Sequence, residues 1–318
     1  MSEADVDLSA YQVVNTFVDS FRWGHTAMSD AAVAAAARAA RVTIDMRSFI
    51  EHVEQRVAER LGVAEVVLVS SGNAATTMAL TALHRSATVL NISRRPSIEL
   101  RTPLAFGVQF TDDAAAEHAL VFLQATAQDV EPDLSSFSSP VVIDGRARYD
   151  WTRSVGTGTG RLFCGDGTHL PGPLPAFGYI AGDPQLLGEL RSYLDGIAAA
   201  DFLRPSRERA AAVLAALDEA PAGDAADVAG GLRQIPGLEV SPVPQQLAAE
   251  RVIRVRFRDA AECSAIADRL WQQRPRVYVE QRGDCQFWLA DRMTGLEFRY
   301  AADLLEQSIQ DHRRENAS

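Results

Sequence analysis

The sequence predicts an α/β fold in which a large domain built on a mostly parallel sheet is followed by a small α+β domain. With 318 residues, 47% of them hydrophobic, the chain can bury the core of one large domain and a smaller one. Short β-branched runs alternate with helical segments over the first two thirds, which is typical of a parallel sheet with helices on both faces. Beyond residue 220 the order changes to strand, strand, helix, strand, strand, helix, the order of a small α+β sandwich.

The first elements are helices, and a strand followed by a tight turn comes next. The pattern of residues 30–62 predicts two helices, with Ser29 or Asp30 as the N-cap and Gly62 as the stop. The segment "AEVVLVSSGNAATTMALTAL" (64–83) predicts a strand, a tight turn and a helix. Because such a turn leaves backbone amides and hydroxyls free at a helix N-terminus, it is a favourable place for an anion.

Further strands complete the predicted sheet. They are expected within residues 87–93, 107–113, 118–125, 139–151, 160–167 and 176–183. Ligands of such sheets bind beyond the carboxyl ends of the strands, and Ser71, Asp144 and the loop 165–169 all fall at such ends. Residues 184–220 predict helices with an interruption at Arg204-Pro205, and the polar, Gly-rich residues 221–231 predict a hinge or a loop.

Composition argues against several classes of partner. The formal net charge is −11 and arginines form no long stripe, so we expect no nucleic-acid binding. No apolar run approaches the length of a bilayer span, and the N-terminus is acidic rather than a signal peptide, so we expect no membrane partner. The three cysteines are far apart and lack metal-ligand spacing, which favours a reduced, cytoplasmic protein without a metal site.

The chain contains no lysine, and all 31 of its Lys and Arg residues are arginine. Codon bias in a GC-rich genome would account for this exchange at the surface, where only charge matters. It does not account for the loss where a primary amine is required, because a guanidinium stays protonated and forms no Schiff base.

Five segments in register over nearly the full length carry a family resemblance. They are "VVNTF" with "WGHTAMSDAAVAAAARAA" (13–17 and 23–40), "LVSSGNAATTMAL" (68–80), "PVVIDGRARY" (140–149), "LRPSRERAAAVLAALDEA" (203–220) and "RPRVYVEQRG" (274–283). The chain resembles the pyridoxal-phosphate (PLP) enzymes of aspartate-aminotransferase fold, also called fold type I. Within them it is similar to the group of bacterial selenocysteine synthase and the D-glucosaminate-6-phosphate ammonia-lyase-like proteins.

The resemblance implies positions for a cofactor. The phosphate would be held by the turn Ser70, Ser71, Gly72 and Asn73, and Asp144 would stabilise the protonated ring nitrogen that makes pyridoxal an electron sink. Simpler structural interpretations also fit. Ser and Asn are preferred at helix N-caps in any protein, and an Asp before Gly145 is common in turns.

The chain departs from the family where the cofactor is anchored. The family has Phe-Ser-Gly-Gly-Lys-Gly-Leu-x-Gly-Pro, whereas residues 163–173 are "FCGDGTHLPGP". Counting from Phe163 places the Schiff-base lysine at Gly167, and counting back from Gly-Pro places it at Thr168, so the loop is one residue longer and includes Asp166. Without any lysine, an internal aldimine with a side chain is excluded.

A second departure concerns arginines near the expected ring. Where the family carries a His, residues 91–101 are "NISRRPSIELR", so Arg94, Arg95 and Arg101 would bring positive charge there. A solvated face explains these arginines equally well.

Three functions remain open. In the first, the pocket has lost its cofactor and performs lyase, epimerase or isomerase chemistry on a small anionic or amino-acid-like substrate, which the acidic loop favours. In the second, the protein binds pyridoxal or pyridoxamine phosphate non-covalently and His169 replaces the lysine. In the third, it is a non-catalytic paralogue that keeps the dimer surface.

The candidate site follows from these assignments. The catalytic candidates are His169, Asp144 and Asp166, and the candidates for binding substrate or an anion are Ser70, Ser71, Gly72, Asn73, Arg94, Arg95 and Thr168. Imidazole beside carboxylates can take and return a proton near neutral pH. His169 alone is also consistent with an exposed or capping residue of a Gly-rich loop.

The resemblance also implies an architecture. We expect an N-terminal segment (1–49) near the small domain, a large cofactor-type domain (50–203), a connecting helix (204–219) and a small domain (220–318). We further expect a homodimer with its sites at or near the subunit interface.

Overall fold

The computed structural model describes most of the chain, and the structural statements below concern that part. The described residues are 13–15, 28–84, 88–93, 103–104, 107–115, 117–125, 133–146, 151–152, 158–167, 170, 174–196, 203–219, 225–242, 252–289 and 295–316. The candidates Arg94, Arg95, Thr168 and His169 lie outside these residues.

The two helices predicted near the N-terminus are present, with the predicted ends. Helix α1 spans Asp30–Ala39, and its N-cap Ser29 accepts a hydrogen bond from the Ala32 N–H at 3.2 Å. Helix α2 spans Met46–Leu61 and ends at Gly62, whose φ of 70° is the left-handed conformation that favours glycine at this position.

The larger sheet is mostly parallel, as predicted. Its strands are β2 (Val66–Val69), β3 (Thr88–Asn91), β4 (Gln109–Thr111), β5 (Leu120–Gln124), β6 (Val141–Asp144), β7 (Arg161–Asp166) and β8 (Gly178–Gly182), in the order β2-β8-β7-β6-β5-β3-β4. Strand β8 runs antiparallel to both of its neighbours, and the other pairs are parallel.

Helices cover both faces of this sheet. Helix α3 spans Gly72–Leu83, α4 spans Pro184–Gly196 and α5 spans Arg207–Leu217. Successive residues of β2 pack on opposite faces of the sheet. Leu68 packs in the apolar cluster that includes α1, α2 and α5, and Val67 packs in the cluster that includes α3 and α4. This double burial explains why the strands are short, continuous apolar runs.

The outer edge of β2 is closed by side chains. The Leu68 N–H donates to Glu54 Oε1 at 2.8 Å, and Arg191 Nη2 donates to the Val66 carbonyl at 2.9 Å and to Glu54 Oε2 at 3.1 Å. Burial raises the pKa of Glu54, although the Leu68 N–H and the Arg191 charge oppose this effect. An ion pair therefore occupies the backbone groups that another strand would otherwise bind.

The C-terminal part forms a second, antiparallel sheet. The elements of this part of the chain are α6 (Ala225–Arg233), β9 (Glu239–Pro242), β10 (Val252–Arg256), α7 (Ala260–Gln272), β11 (Arg276–Tyr278), β12 (Glu280–Arg282), β13 (Cys285–Leu289) and α8 (Gly295–Glu315). The strand order of the sheet is β12-β13-β10-β9. Strand β1 (Val13–Asn15) pairs in parallel with β11, whereas α1 packs mainly against α5.

One local prediction was wrong in this region. Residues 225–231, expected in a hinge or loop, belong to helix α6. Ala229 and Leu232 of this helix are buried in the apolar cluster of the second sheet. Tertiary packing therefore outweighs the unfavourable helix propensity of the two glycines in the segment.

In the described part of the chain, no helix has the length and apolar character needed to cross a membrane. Within those same residues, no group of three or more His, Cys, Asp or Glu side chains could hold a metal ion.

Candidate functional site

The turn between β2 and α3 is shaped by local capping and by neighbours on both sides. Ser71 is the N-cap of α3, and its Oγ accepts from the Ala74 N–H at 3.2 Å. The Ser70 N–H donates to the Leu203 carbonyl at 2.7 Å, and Arg209 Nη1 donates to the Ser70 carbonyl at 2.9 Å. Leu203, before α5, and Arg209, in the first turn of α5, thus fix the position of the turn at the carboxyl end of β2.

Strand β8 supports the same turn from beneath. A Cβ placed on Gly178 would lie 2.1 Å from the carbonyl oxygen of Ser71 and 2.7 Å from the backbone nitrogen of Gly72. Both contacts are with backbone, which cannot move without displacing the start of α3. Gly178 is therefore required for this close approach.

The two acidic candidates end neighbouring parallel strands. Asp144 is the last residue of β6 and is 3% exposed, and Asp166 is the last residue of β7. A Cβ placed on Gly72 would lie 3.1 Å from Asp166 Cβ and 3.2 Å from Asp166 Oδ2. The carboxylate of Asp166 therefore lies beside the N-terminus of α3, as the convergence of strand ends leads one to expect.

Arg146, which the sequence reasoning did not select, connects these groups. Its Nε donates to Asp144 Oδ1 at 2.8 Å and its Nη2 donates to Asp144 Oδ2 at 2.6 Å. Its Nη1 donates to Asn73 Oδ1 at 2.5 Å. The Cδ of Arg146 would be 2.5 Å from a Cβ on Gly72, so the side chain lies directly over the first residue of α3.

The residues below the site are buried and uncharged. Burial and the nearby Asp144 carboxylate raise the pKa of the Cys164 thiol far above its ordinary value. The hydroxyl of Tyr179 lies 3.0 Å from Thr152 Oγ1, and burial raises its pKa well above the usual range. Because nucleophilic cysteines react as thiolates, Cys164 is unsuited to act as a nucleophile.

Gly167, one of the two positions at which the family lysine would align, faces an aromatic ring. Its N–H donates to the Phe177 carbonyl at 3.0 Å, and a Cβ on Gly167 would lie 2.8 Å from Phe177 Cε1. A side chain at position 167 would require the Phe177 ring to move, so the observed packing requires glycine there.

The chain has the fold of the pyridoxal-phosphate enzymes of fold type I. A structure of D-glucosaminate-6-phosphate ammonia-lyase matches with a TM-score of 0.70 and 15% identity, covering 94% of this chain and 96% of that one. DesI in the presence of its TDP-sugar product matches with a TM-score of 0.61 and 14% identity, covering 92% and 93%. SPT with its PLP internal aldimine matches with a TM-score of 0.56 and 12% identity, covering 94% and 87%.

The sequence itself matches no protein-family model, and no curated protein is significantly similar to it. The solved structures therefore assign the fold, and the chemistry has to be argued from the side chains of this chain.

Proposed function

We propose that the protein uses a PLP-enzyme scaffold for acid/base chemistry without PLP, on a small anionic or amino-acid-like substrate. The reaction is of lyase, epimerase or isomerase type. The bidentate pair between Arg146 and Asp144 is the observation that carries the proposal, since it occupies both oxygens of the carboxylate that a pyridinium would need.

The residues present do not fit a pyridoxal ring placed as the resemblance implies. That placement joins Asp144 to the turn at Ser70–Asn73, and Arg146 already joins Asp144 to Asn73. A chain without lysine also cannot supply the imine. Non-covalent binding of pyridoxal or pyridoxamine phosphate with His169 in place of the lysine therefore requires Arg146 to move.

The anion of the substrate would bind at the start of α3. The first N–H groups of a helix lack intrahelical partners and attract negative charge, and at this end of α3 the side chain of Ser71 caps the Ala74 N–H. Arg94 or Arg95 would add a second positive group that stabilises charge developing on the substrate. Thr168 would contribute a hydroxyl from the neighbouring loop.

Proton transfer is assigned to the loop after β7. His169 would take a proton from the carbon next to a carbonyl or amine of the substrate, with Asp166 holding the imidazole. Return of the proton to the same face of the carbon gives exchange alone, and delivery of a proton to the opposite face gives epimerisation. Loss of a leaving group from the adjacent carbon gives elimination. Asp144, held by Arg146, would stabilise the site without exchanging protons.

Deuterium exchange tests this assignment without knowledge of the product. The protein is incubated in D₂O with a panel of amino acids, hydroxy acids and phosphorylated sugar acids, and loss of the carbon-bound proton is followed by NMR. We expect exchange with at least one compound and a decrease of about 10²–10⁴-fold in H169A, the usual effect of losing a general acid or base.

Matched variants make the exchange result decisive. H52A, which alters an exposed histidine of α2, should leave exchange unchanged. D166N should also slow it. Full exchange in both H169A and D166N would place the chemistry elsewhere.

A non-catalytic role is the second candidate. It is favoured by the hydrogen bonds that the site residues make with one another, since Arg146 donates to both oxygens of Asp144 and to Asn73 Oδ1. A protein that exchanges no proton in any compound of the panel and binds none of them would support this role.

We also propose a homodimer. Met28, Val33 and Val42 are large hydrophobic residues, 39%, 48% and 50% exposed, and they lie in one stretch of chain around α1. A second copy covering this stretch would bury them. Light scattering of the purified protein tests this: a dimer is expected, and a monomer at micromolar concentration would contradict it.

A further inference from the structure

We propose that the guanidinium of Arg146 occupies the position of a cofactor's pyridinium ring and supplies the same positive charge to Asp144. Removal of this side chain then opens a non-covalent binding site for a phosphorylated pyridine. The inference rests on the proposed function in one respect, namely that the carboxyl ends of β2, β6 and β7 form the ligand site. It adds a specific cause for the exclusion of the cofactor.

In the folded protein, the buried carboxylate of Asp144 requires a positively charged partner, whether or not a ligand is bound. Its side chain is 4% exposed, and a carboxylate buried to this degree without a cation is strongly destabilising. Arg146 supplies that cation from within the chain, at 2.8 Å and 2.6 Å from the two oxygens. A guanidinium is planar, permanently protonated and matched to both oxygens of a carboxylate, so it can replace a protonated ring nitrogen.

Arg146 also takes up the space that a cofactor ring would need. A phosphorylated pyridine held by Asp144 and by the N-terminus of α3 would have to lie between these two points. Arg146 spans the same interval, since it bonds Asp144 at one end and Asn73 at the other, and its stem lies over Gly72. The guanidinium and the ring therefore exclude one another.

Local structure fixes Arg146 in this position. Its own N–H donates to Asp144 Oδ1 at 3.4 Å, which closes a short turn directly after β6. Gly145, between the two residues, would place a Cβ 2.0 Å from the ring of Phe163, so the turn can pack on that ring only with glycine. The turn therefore places the backbone of Arg146 beside Asp144, and the guanidinium is held there by its own bonds to Asp144 and Asn73.

The test is a titration with pyridoxamine phosphate, which has no aldehyde and therefore reports non-covalent binding alone. Wild type and R146A are titrated by calorimetry and by fluorescence at neutral pH. We expect saturable binding to R146A, at least tenfold tighter than to wild type. The double variant D144N/R146A should lose this gain, because the ring nitrogen no longer meets a carboxylate.

A matched control separates a specific opening from a general loosening of the protein. Arg313 Nε donates to Glu262 Oε1 at 3.0 Å, and the side chain of Glu262 is 1% exposed, so R313A also leaves a buried carboxylate without its arginine. R313A should gain no affinity for pyridoxamine phosphate. Equal gains in R313A and R146A would overturn the inference.

A second variant covers the case in which R146A does not fold. R146Q keeps one donor for Asp144 but removes the charge and the reach to Asn73, and it is titrated in the same way with the same expected gain. A folded Arg146 variant that binds pyridoxamine phosphate no better than wild type would overturn the inference. That result would leave the proposed acid/base function standing, because the deuterium exchange is measured in wild type and does not depend on this titration.

Discussion

Arg146 and Asp144, two residues apart at the end of β6, form an ion pair in which Nε and Nη2 donate to different carboxylate oxygens. The Asp144 side chain is 4% exposed and the Arg146 side chain is 18% exposed, so solvent screens this pair little. The pair therefore has consequences for stability that can be measured apart from any ligand.

Removal of the arginine should destabilise the fold. We expect R146A to lower the free energy of unfolding by about 3 kcal/mol, since breaking a buried pair leaves an uncompensated charge. D144N/R146A should recover part of this loss. Urea denaturation followed by circular dichroism measures both.

The control for this experiment is an exposed pair. The side chains of Arg56 and Asp218 are 34% and 60% exposed, so solvent screens this pair and R56A should destabilise the protein less than R146A does. An R146A variant as stable as wild type would mean that the carboxylate of Asp144 does not depend on Arg146.

A methyl group at Gly178 should damage the turn that begins α3. The backbone carbonyl of Ser71 would be 2.1 Å from the new Cβ and cannot yield alone, so we expect G178A to destabilise the protein by about 1–3 kcal/mol or more, as overpacking does. G188A, in the interior of α4 with no heavy atom within 4 Å, should instead stabilise it slightly. Equal melting temperatures for G178A and wild type would be incompatible with the close approach of Gly178 to the backbone of Ser71 and Gly72.

Glu54 should make stability depend on pH with a definite sign. Burial raises its pKa in the folded protein above the ordinary 4.5. Its contribution is therefore fully present below pH 4.5 and is lost as the pH rises through the raised pKa. E54Q should flatten the fall in stability above that pH, measured by urea denaturation at a series of pH values.

Glu208 provides a control of opposite sign. A hydrogen bond from Arg207 lowers the pKa of Glu208 to about 2, so its contribution is lost as the pH falls towards that value. E208Q should change the acidic side of the profile and leave the side above pH 4.5 unchanged. An unchanged slope in E54Q would contradict the role assigned to Glu54.

Local sequence signals were sufficient for most of the fold. Ser29 and Ser71 cap the starts of helices and Gly62 caps the end of one, and each acts on residues within one turn. Their roles therefore follow from neighbouring residues alone. Helix α6 could not be predicted in this way, because it depends on the burial of Leu232 against the second sheet.

The candidate site was predicted only in part for the same reason. Asp144 and Asp166 could be selected because each ends a largely apolar strand. Arg146 stands two residues after Asp144 in "DGRAR", which was a usable signal, but its bond to Asn73 joins positions 73 residues apart. The predicted domain boundaries and the roles of Arg94, Arg95, Thr168 and His169 stay predictions.

Reaction of the wild-type protein with pyridoxal phosphate tests most directly whether the ring site is closed. The purified protein is incubated with the aldehyde, its absorbance spectrum is recorded, and borohydride reduction is followed by gel filtration and peptide mapping by mass spectrometry. A PLP enzyme with a Schiff-base lysine serves as the positive control. We expect the spectrum of free pyridoxal phosphate, no retained cofactor and no phosphopyridoxyl side chain, with the α-amine of Met1 as the one position open to a trivial adduct. Stoichiometric retention of pyridoxal phosphate with a shifted spectrum would contradict the closed site.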